Sequence, residues 1–304
     1  MRFLSTGIGG LGLALAACAG SACTVNVNTE GATATETRKF TVSGAPTVSL
    51  DTFDGAIEVH SWDRNEVEVT VDKQAQDEAL LGQIVIEQTQ EGDRVTLRVR
   101  GPVAPPRSGV VIGVSLSPRA RLRVALPKTA TLDLRSGDGS ITVEDLSGAL
   151  TMQAKDGAIV GTRLTGDVRA RTDDGSIRLR EMTGKIDAET LDGSIVVNGT
   201  LTNLRAKTGD GSVRIAAESG SALADDWLVE TGDGTVEVRL PQGVGLEVDA
   251  TTSDGVIRSS YPGLTVPDRP EGERSDRREL KSTLGAGGHT LRVRTGDGSI
   301  RFES

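Results

Sequence analysis

The chain has few aromatic residues and few of the residues that usually carry catalysis. Phenylalanine, tyrosine and tryptophan make up 2% of its 304 residues, and it contains only two histidines and two cysteines. A globular core of this length normally uses more aromatic volume, whereas a narrow core of stacked aliphatic side chains does not need it. The net charge of −9, with acidic and basic residues intermingled, excludes the clustered cationic surface that nucleic-acid binding requires.

Both cysteines lie near the amino terminus, beside an apolar segment that is typical of an export signal. Arg2 precedes an apolar run over 8–17, which is too short and too rich in glycine for a membrane-spanning helix. The sequence LAAC at 15–18 resembles the lipobox of bacterial lipoproteins, a family in which the cysteine is acylated and begins the mature chain. We therefore predict a signal peptide over 1–17 and lipidation at Cys18, which anchors the mature chain to a membrane.

Two alternatives remain open at this end of the chain. One is ordinary cleavage after Ala22, and the other is acylation of Cys23, although GSAC at 20–23 fits the lipobox less well at its first position. Residues 18–37 form a lipidated tether in this interpretation, and their polar, threonine-rich composition predicts flexibility. Ala19, in place of an aspartate after Cys18, favours sorting to the outer membrane or cell surface in lipoproteins generally.

A repeated Asp-Gly pair dominates the chain after residue 38. Isoleucine or valine stands three residues after the aspartate in every copy, and threonine or serine stands two residues before it in all copies but one. Asp-Gly favours a tight turn, because aspartate can bond to its own downstream amide and glycine tolerates positive φ. The copies begin at Asp54, Asp138, Asp156, Asp174, Asp192, Asp210, Asp233, Asp254 and Asp297.

Each repeat contains the pattern of two short strands. In the copy at Asp174, apolar and polar residues alternate over 177–180 and again over 185–189, with a second turn expected at 182–184. Two such strands cannot bury a face alone, but stacked coils can, if each strand pairs in parallel with its copy about 4.8 Å away. We predict an all-β fold over 38–304, a single right-handed parallel β-solenoid (β-helix) with coils of about 18–23 residues and irregular N-terminal coils.

Stacking the coils aligns equivalent positions into rows. Outward rows alternate in charge between neighbouring coils, which suits lateral pairing. The predicted inward rows are Ile141, Ile159, Ile177 and Ile195; Leu150, Val168, Ile186 and Leu204; and Met152, Ala170, Ala188 and Ala206. The predicted outward rows are Arg169, Asp187 and Arg205, and Arg171, Glu189 and Lys207.

Regular repeats are expected over about 131–260, with less regular sequence on either side. Residues 38–130 contain strand-like segments that favour irregular early coils over a separate β cap. A charged insertion at about 261–285 holds three of the ten prolines, so we predict that it protrudes. Phe302 occupies an inward position in the last copy, where its ring is expected to plug the open end of the core.

The order of these motifs resembles a known bacterial family. The Asp-Gly copy at Asp54, Trp62-Asp63, the strand pattern 67–71, Leu-Pro-Lys at 126–128 and the Gly-Asp-Gly-Ser-Ile repeats are together similar to the bacterial putative-adhesin domain family of unknown function. The resemblance covers residues 38–304 and rests on turn motifs, so it implies the solenoid fold. The family's name implies surface adhesion, and its motif supplies no catalytic or binding residues.

No catalytic, cofactor-binding or metal site is predicted. The row of aspartates offers oxygen ligands that Ca²⁺ prefers. Repulsion between carboxylates 4.8 Å apart is only about 1 kcal/mol in water, however, so the turns need no ion. His60 and His289 are expected at the surface, and Trp62 and Trp227 in packing positions. The residues with most catalytic potential are Asp173, Asp174, Arg178 and Arg180, although charge alternation explains them equally well.

Together these features indicate a non-enzymatic, lipid-anchored protein of the cell envelope. Its partners are expected to be a membrane, through the lipid anchor, and a protein or polymer ligand on an adhesin-like or scaffold surface. One alternative is a self-assembling structural element, because parallel coils leave edge strands that can pair end to end. A second alternative is a β-helix enzyme that acts on polysaccharides.

Overall fold

A computed structural model describes residues 31–102, 116–266 and 278–304. The predicted signal peptide, Cys18, Cys23 and residues 267–277 of the predicted insertion lie outside these ranges. Within them, no helix is long and apolar enough to cross a membrane, and the one helix is α1, Glu78–Leu81. Strands β1 to β20 are Ala32–Thr41, Thr47–Thr52, Ile57–Trp62, Glu66–Ala75, Val85–Glu91, Arg94–Arg100, Arg119–Pro127, Thr131–Ser136, Ile141–Ala154, Ile159–Thr172, Ile177–Thr190, Ile195–Lys207, Val213–Ala217, Trp227–Thr231, Val236–Arg239, Leu246–Thr252, Ile257–Ser259, Arg278–Leu284, Thr290–Thr295 and Ile300–Glu303.

The Asp-Gly turns divide each coil into two strand segments, which stack into two parallel sheets. We call the segments before the turns the pre-turn sheet, those after the turns the post-turn sheet, and the row of turns the turn edge. The prediction of an all-β parallel solenoid is confirmed. The parallel order is β6, β2, β8, β9, β10, β11, β12, β14, β19, β16 in the pre-turn sheet and β7, β3, β9, β10, β11, β12, β13, β15, β20, β17 in the post-turn sheet.

In the three most regular coils, the strand continues through the bend that joins the post-turn segment to the following pre-turn segment. We call this bend the corner. β9, β10 and β11 each run for 14 residues through the corner, so the separate turn predicted at 182–184 is wrong. The bend is made by Asp145, Arg163 and Glu181, which adopt φ of 58°, 53° and 53°. Glycine follows three residues later at each corner, and the parallel pairing of β10 and β11 has by then resumed, at Thr165 and Thr183. The corner therefore bends the chain while neighbouring coils stay hydrogen-bonded.

The predicted inward rows form the core. All twelve of their residues are at most 3% exposed, and the ladders pair them in the predicted register. Burying an aliphatic side chain of this size contributes about 1.5–3 kcal/mol, so the core is the main source of stability. A further corner row is also buried and was not predicted, because it lies where a turn was expected: Leu146, Leu164, Met182 and Leu201.

The first part of the chain contains both coils and a cap. β2–β3 and β6–β7 are coils of the parallel stack, as favoured by the sequence, whereas β1, β4 and β5 are antiparallel strands beside it. β1 begins at Ala32, inside the predicted tether over 18–37, so that boundary is wrong for 32–37. β1 buries few side chains along its length, and its sequence therefore has no apolar period to reveal it.

A buried lysine ties β1 to the rest of the cap. The Lys73 Nζ donates hydrogen bonds to Glu36 Oε1 at 2.5 Å and to the carbonyl oxygen of Ile84 at 2.9 Å. The Lys73 side chain is only 10% exposed. Its hydrogen bond is the main cause that holds the pKa of the Glu36 carboxyl below its ordinary value, against the opposing effect of burial. Glu36 is therefore part of the folded domain.

The last coil of the chain is not the last coil of the stack. β19–β20 lies between β14–β15 and β16–β17 and pairs in parallel with both. Phe302 is fully buried as predicted, but it occupies this inserted coil, so the prediction that it plugs the end is wrong. The end is covered instead by the antiparallel strand β18 and by the buried side chains of Tyr261 and Leu264.

The charges of the outward residues are consistent with the inserted position of the last coil. In the pre-turn sheet, Arg292 and Arg294 of β19 lie between Glu230 of β14 and Asp249 of β16. The Asp249 Oδ2 is 3.7 Å from Arg292 Nε and 4.0 Å from Arg294 Nη2. If β16 paired directly with β14 in the same register, Thr251 would face Glu230 and Asp249 would lie diagonal to it. The observed order places cations between the two acidic strands.

Reversing these charges should loosen the outer coil. We expect the double variant Arg292→Glu, Arg294→Glu to speed amide hydrogen exchange in β16 relative to β11, because each new like-charge contact costs about 0.2–1 kcal/mol. Adding Glu230→Arg and Asp249→Arg should restore slow exchange. Arg98→Glu, which breaks a 3.0 Å pair with Asp51 at the other end, is the control. Unchanged exchange in the double variant would contradict the charge argument.

Candidate functional site

The turn edge is held together by threonine hydroxyls that reach the preceding coil. The Thr190 Oγ1 donates toward the carbonyl oxygens of Asp173 and Gly175, both 3.0 Å away, and accepts a hydrogen bond from the Gly193 amide at 3.2 Å. Thr190 is 2% exposed. Each hydroxyl thus forms one hydrogen bond within its own turn and others to the backbone of the turn in the preceding coil. The same three contacts recur at Thr172, Thr208, Thr231 and Thr295.

The aspartates of the turn edge do not cap their own turns. In the described ranges, none of the nine carboxylates accepts a backbone hydrogen bond, and the one ion pair is Asp156 with Lys155 at 3.8 Å. The interpretation of aspartate as the turn-closing residue is therefore wrong, and threonine has that role. Across residues 31–102, 116–266 and 278–304, no three histidine, cysteine, aspartate or glutamate side chains are grouped to hold a metal ion.

The turn glycines are required by close stacking rather than by left-handed backbone. Of the nine Asp-Gly glycines, Gly55 alone has positive φ, so the expected positive φ is wrong for the others. A Cβ placed on Gly175 would lie 2.1 Å from the carbonyl oxygen of Gly157 in the neighbouring coil. Similar approaches of backbone to backbone recur along the edge. No side chain fits between the turns.

A cleft of about 540 Å³ lies where the turn edge meets β1, β4 and β7. Partial burial is the main cause that raises the pKa of the Asp54 carboxyl, and the charge of Asp138 adds to it while Arg119 opposes it. The two guanidinium groups that line the cleft are engaged: Arg119 donates to Gln74 at 2.6 and 2.9 Å, and Arg121 pairs with Glu58. Among the described residues of this cleft, the carboxylates of Asp54 and Asp138 form no hydrogen bond or ion pair, whereas Asp72 and the two guanidinium groups have partners.

The residues proposed for catalysis do not converge. Asp173 and Asp174 lie in an exposed turn, whereas Arg178 and Arg180 point outward from the post-turn sheet. Arg178 donates to Ser176 at 2.8 Å. This arrangement offers no paired acid and base.

The histidines and tryptophans occupy the kinds of positions expected. His60 is exposed on β3, and His289 is exposed with its Nδ1 3.6 Å from Asp226. Trp227 is 1% exposed in the core. Trp62 is half-buried, donates to the Glu66 carbonyl at 2.8 Å and lies under the Arg64 guanidinium. Neither tryptophan forms an open stacking platform.

The pre-turn sheet carries the two predicted rows of alternating charge and, beside the row of Arg169, Asp187 and Arg205, a shallow groove. Arg169 pairs with Asp187 at 3.2 Å and Arg171 with Glu189 at 3.0 Å, which confirms the alternation. The groove has a volume of about 430 Å³ and was not predicted from the sequence. The two rows of outward residues that line it are Ala149, Asp167, Lys185 and Asn203, and Thr151, Arg169, Asp187 and Arg205.

Removing one threonine hydroxyl should destabilise the stack. We expect Thr190→Val to lower the free energy of unfolding by about 1–3 kcal/mol, because it leaves buried backbone groups without a partner. Thr142→Val removes an outward hydroxyl of β9 that is only partly buried, and it should change stability little. Denaturant unfolding followed by circular dichroism measures both. Equal stability of the two variants would contradict the role assigned to the turn threonines.

Neutralising Asp54 should stabilise the protein in a pH-dependent way. The folded state raises the pKa of this carboxyl, so its ionisation opposes folding once the pH exceeds the unfolded pKa. Asp54→Asn should therefore raise the melting temperature at pH 7, and the gain should vanish near pH 3, where the wild-type carboxyl is protonated in both states. Asp192→Asn, on the exposed part of the same edge, is the comparison. A gain that persists at pH 3 would refute this origin.

The chain is similar to one protein family and to several solved structures. Residues 24–303 match the Toastrack DUF4097 family. Similar solved structures include a putative adhesin from Bacteroides fragilis (10% identity, 88% of this chain and 97% of that chain, TM-score 0.47) and a putative adhesin from Parabacteroides merdae (11%, 89% and 96%, 0.47). A putative lipid binding protein from Parabacteroides distasonis is also similar (15%, 92% and 100%, 0.46).

At TM-scores below 0.5, these structural likenesses carry no conclusion about function. A comparison with the curated proteins finds no significant match. The match of residues 24–303 spans all the described ranges except the last residue, and it confirms the family resemblance seen in the motifs. The chain belongs to the Toastrack DUF4097 family.

Proposed function

We propose that this chain is a non-enzymatic, lipid-anchored protein of the cell envelope that presents an adhesin-like surface to a protein or polymer ligand. The observation that supports it most is the arrangement of the outward residues. The inward side chains are buried in the core and cannot contact a partner. The outward side chains form rows that run across consecutive coils of the parallel stack. Such a surface can contact an extended partner at regular spacing, which suits recognition better than it suits turnover.

The position of the first strand supports anchoring at one end of the stack. Only 13 residues separate Cys18 from Ala32, where β1 begins, and they span at most about 45 Å when extended. In the described ranges β1 pairs with β4 alone, at the outer side of the cap. In this proposal the cap faces the membrane and the regular coils project away from it.

The self-assembly alternative has less support from the ends of the solenoid. Antiparallel strands flank three of the four outer parallel strands: β4 lies on β7, β5 on β6 and β18 on β16. A second solenoid therefore cannot continue these parallel ladders directly. The remaining end strand, β17, has three residues, and short edges of this kind are a common protection against pairing. The enzyme alternative has less support because Asp173 and Asp174 do not converge with Arg178 and Arg180.

Replacing the proposed acylated cysteine tests the anchor and the contact surface together. Cys18→Ala in the full chain should abolish incorporation of an alkyne-tagged fatty acid and release the protein from the membrane fraction, because no other lipid attachment is proposed. Cys23→Ala is the matched control and should keep both. In-cell crosslinking with mass spectrometry should recover envelope partners from the anchored chain and lose them with Cys18→Ala.

Two results would contradict the proposal. Label that persists in Cys18→Ala and disappears in Cys23→Ala would move the anchor to the second cysteine and refute the assigned site. Crosslinks that join only copies of this chain would favour the self-assembling element over a surface that binds a ligand.

A further inference from the structure

The outer edge of β1 is the longest open strand edge in the described part of the chain. β1 has ten residues, and all of them pair with β4 in one unbroken antiparallel register. Within the described ranges, no strand lies on its other side. The other outer strands are shorter, since β5 and β18 have seven residues and β17 has three. A long and regular edge of this kind can accept a further strand.

β1 lacks the features that usually prevent strand addition. It contains no proline and no bulge. Its one lysine, Lys39, is neutralised by Glu68 of β4 at 2.7 Å. The open edge ends at Thr41, whose carbonyl oxygen accepts a hydrogen bond from Gln90 Nε2 of β5 at 2.8 Å. Residues 32–40 are therefore available for pairing.

The charges of β1 are complementary to a second copy of β1. Glu36 and Arg38 share one face of the strand and form a 2.6 Å ion pair. In an antiparallel pair, residues that lie directly opposite each other share a face. A pair centred on Thr37 places Glu36 of each copy opposite Arg38 of the other. A centre at Glu36 or at Arg38 would instead set like charges opposite each other, which is destabilising.

The contacts at this centre can be exchanged without detaching β1. The Thr37 carbonyl oxygen accepts from Arg38 Nη1 at 3.3 Å, which is longer than a typical hydrogen bond, so a backbone N–H of a second strand can replace this donor. The released guanidinium then lies opposite Glu36 of the other copy. The Lys73 Nζ holds Glu36 Oε1 at 2.5 Å, and this contact keeps β1 in the cap.

We propose that β1 pairs antiparallel with β1 of a second copy of this chain, centred on Thr37, so that two caps share one sheet. This contact joins caps and does not continue the parallel ladders. Strand pairing alone buries a small area, so the pair is weak in solution. The inference goes beyond the proposed function, whose orientation is that of a single chain, and it does not require the lipid anchor. In the pair, the two stacks extend in opposite directions from the joined caps.

Disulfide trapping tests the pairing and its register. The chain from residue 18 contains every described residue, and Cys18→Ala with Cys23→Ala removes its only cysteines. Thr37→Cys is added to this chain, and the purified protein is oxidised with copper phenanthroline. The two Cα atoms at the centre of the proposed pair lie about 4.5–5.5 Å apart, within the range of a disulfide. We expect a covalent dimer on a non-reducing gel.

Thr35→Cys is the matched control on the same strand. Thr35 and Thr37 are both exposed on one face, and each hydroxyl contacts β4, at Asp72 (2.8 Å) and at Thr70 (3.2 Å). In the proposed register, Thr35 lies opposite Lys39 of the other copy, and the two copies of Thr35 are about 14 Å apart. This distance is too long for a disulfide, so the control should stay monomeric.

A charge variant tests the complementarity. Arg38→Glu, added to the Thr37→Cys chain, sets acidic side chains opposite each other on both sides of the centre, and it should slow dimer formation roughly tenfold. It leaves the contact between Glu36 and Lys73 in place, and thermal melting checks that each variant is folded.

Four results would overturn the pairing. They are equal dimer formation by the Thr35→Cys and Thr37→Cys chains, a folded Thr37→Cys chain that stays monomeric, an Arg38→Glu variant that dimerises at the same rate, and a new thiol that neither dimerises nor reacts with maleimide. The last result would mean that another segment covers the edge. None of these results bears on the ligand surface of the regular coils, which lies on other strands.

Discussion

The structure depends on contacts that run along the stack rather than within a coil. At the turn edge, a threonine hydroxyl joins each turn to the backbone of the previous one, and glycine lets the two backbones approach too closely for any Cβ. A coil alone buries almost nothing, so these vertical contacts and the aliphatic rows form together or not at all. That requirement explains why the Thr-x-Asp-Gly-x-Ile pattern changes so little from copy to copy while outward positions vary freely in charge.

Most of the fold could be predicted because every coil must stack on its copy, and this requirement produces the sequence repeat. The period placed Ile177 and its counterparts in the core, and alternation placed Arg169 and Asp187 outside. The roles inside the turn could not be assigned correctly, because aspartate and threonine are both common turn residues. Their hydrogen bonds depend on the distance to the next coil, which is a property of the stack. The groove was missed for a similar reason, since a depression arises from side chains of four different coils.

The order of the coils in the stack is the other feature that could not be predicted from the order of the repeats in the sequence. Copies at Asp254 and Asp297 have nearly the same pattern, and hydrophobic periodicity cannot say which of them lies outermost. In the observed order, Arg294 lies opposite Glu230 and Arg292 lies opposite Asp249, which favours this order over the alternative. Information about topology is thus carried by outward residues, whose contribution to stability is small. The strand at Ala32–Thr41 escaped prediction because it contributes pairing without a buried face.

The inserted last coil also bears on how the protein is made. A chain that emerges amino terminus first has released β16 and β17 before β19 and β20 exist. Those earlier strands cannot take their native place until β19 and β20 have been synthesised, because β19 and β20 are their parallel neighbours. Completion of the far end of the stack therefore waits for the synthesis of β19 and β20. A prematurely ended product keeps an unfinished end that exposes apolar edges, which distinguishes it from the intact protein for any system that removes damaged chains.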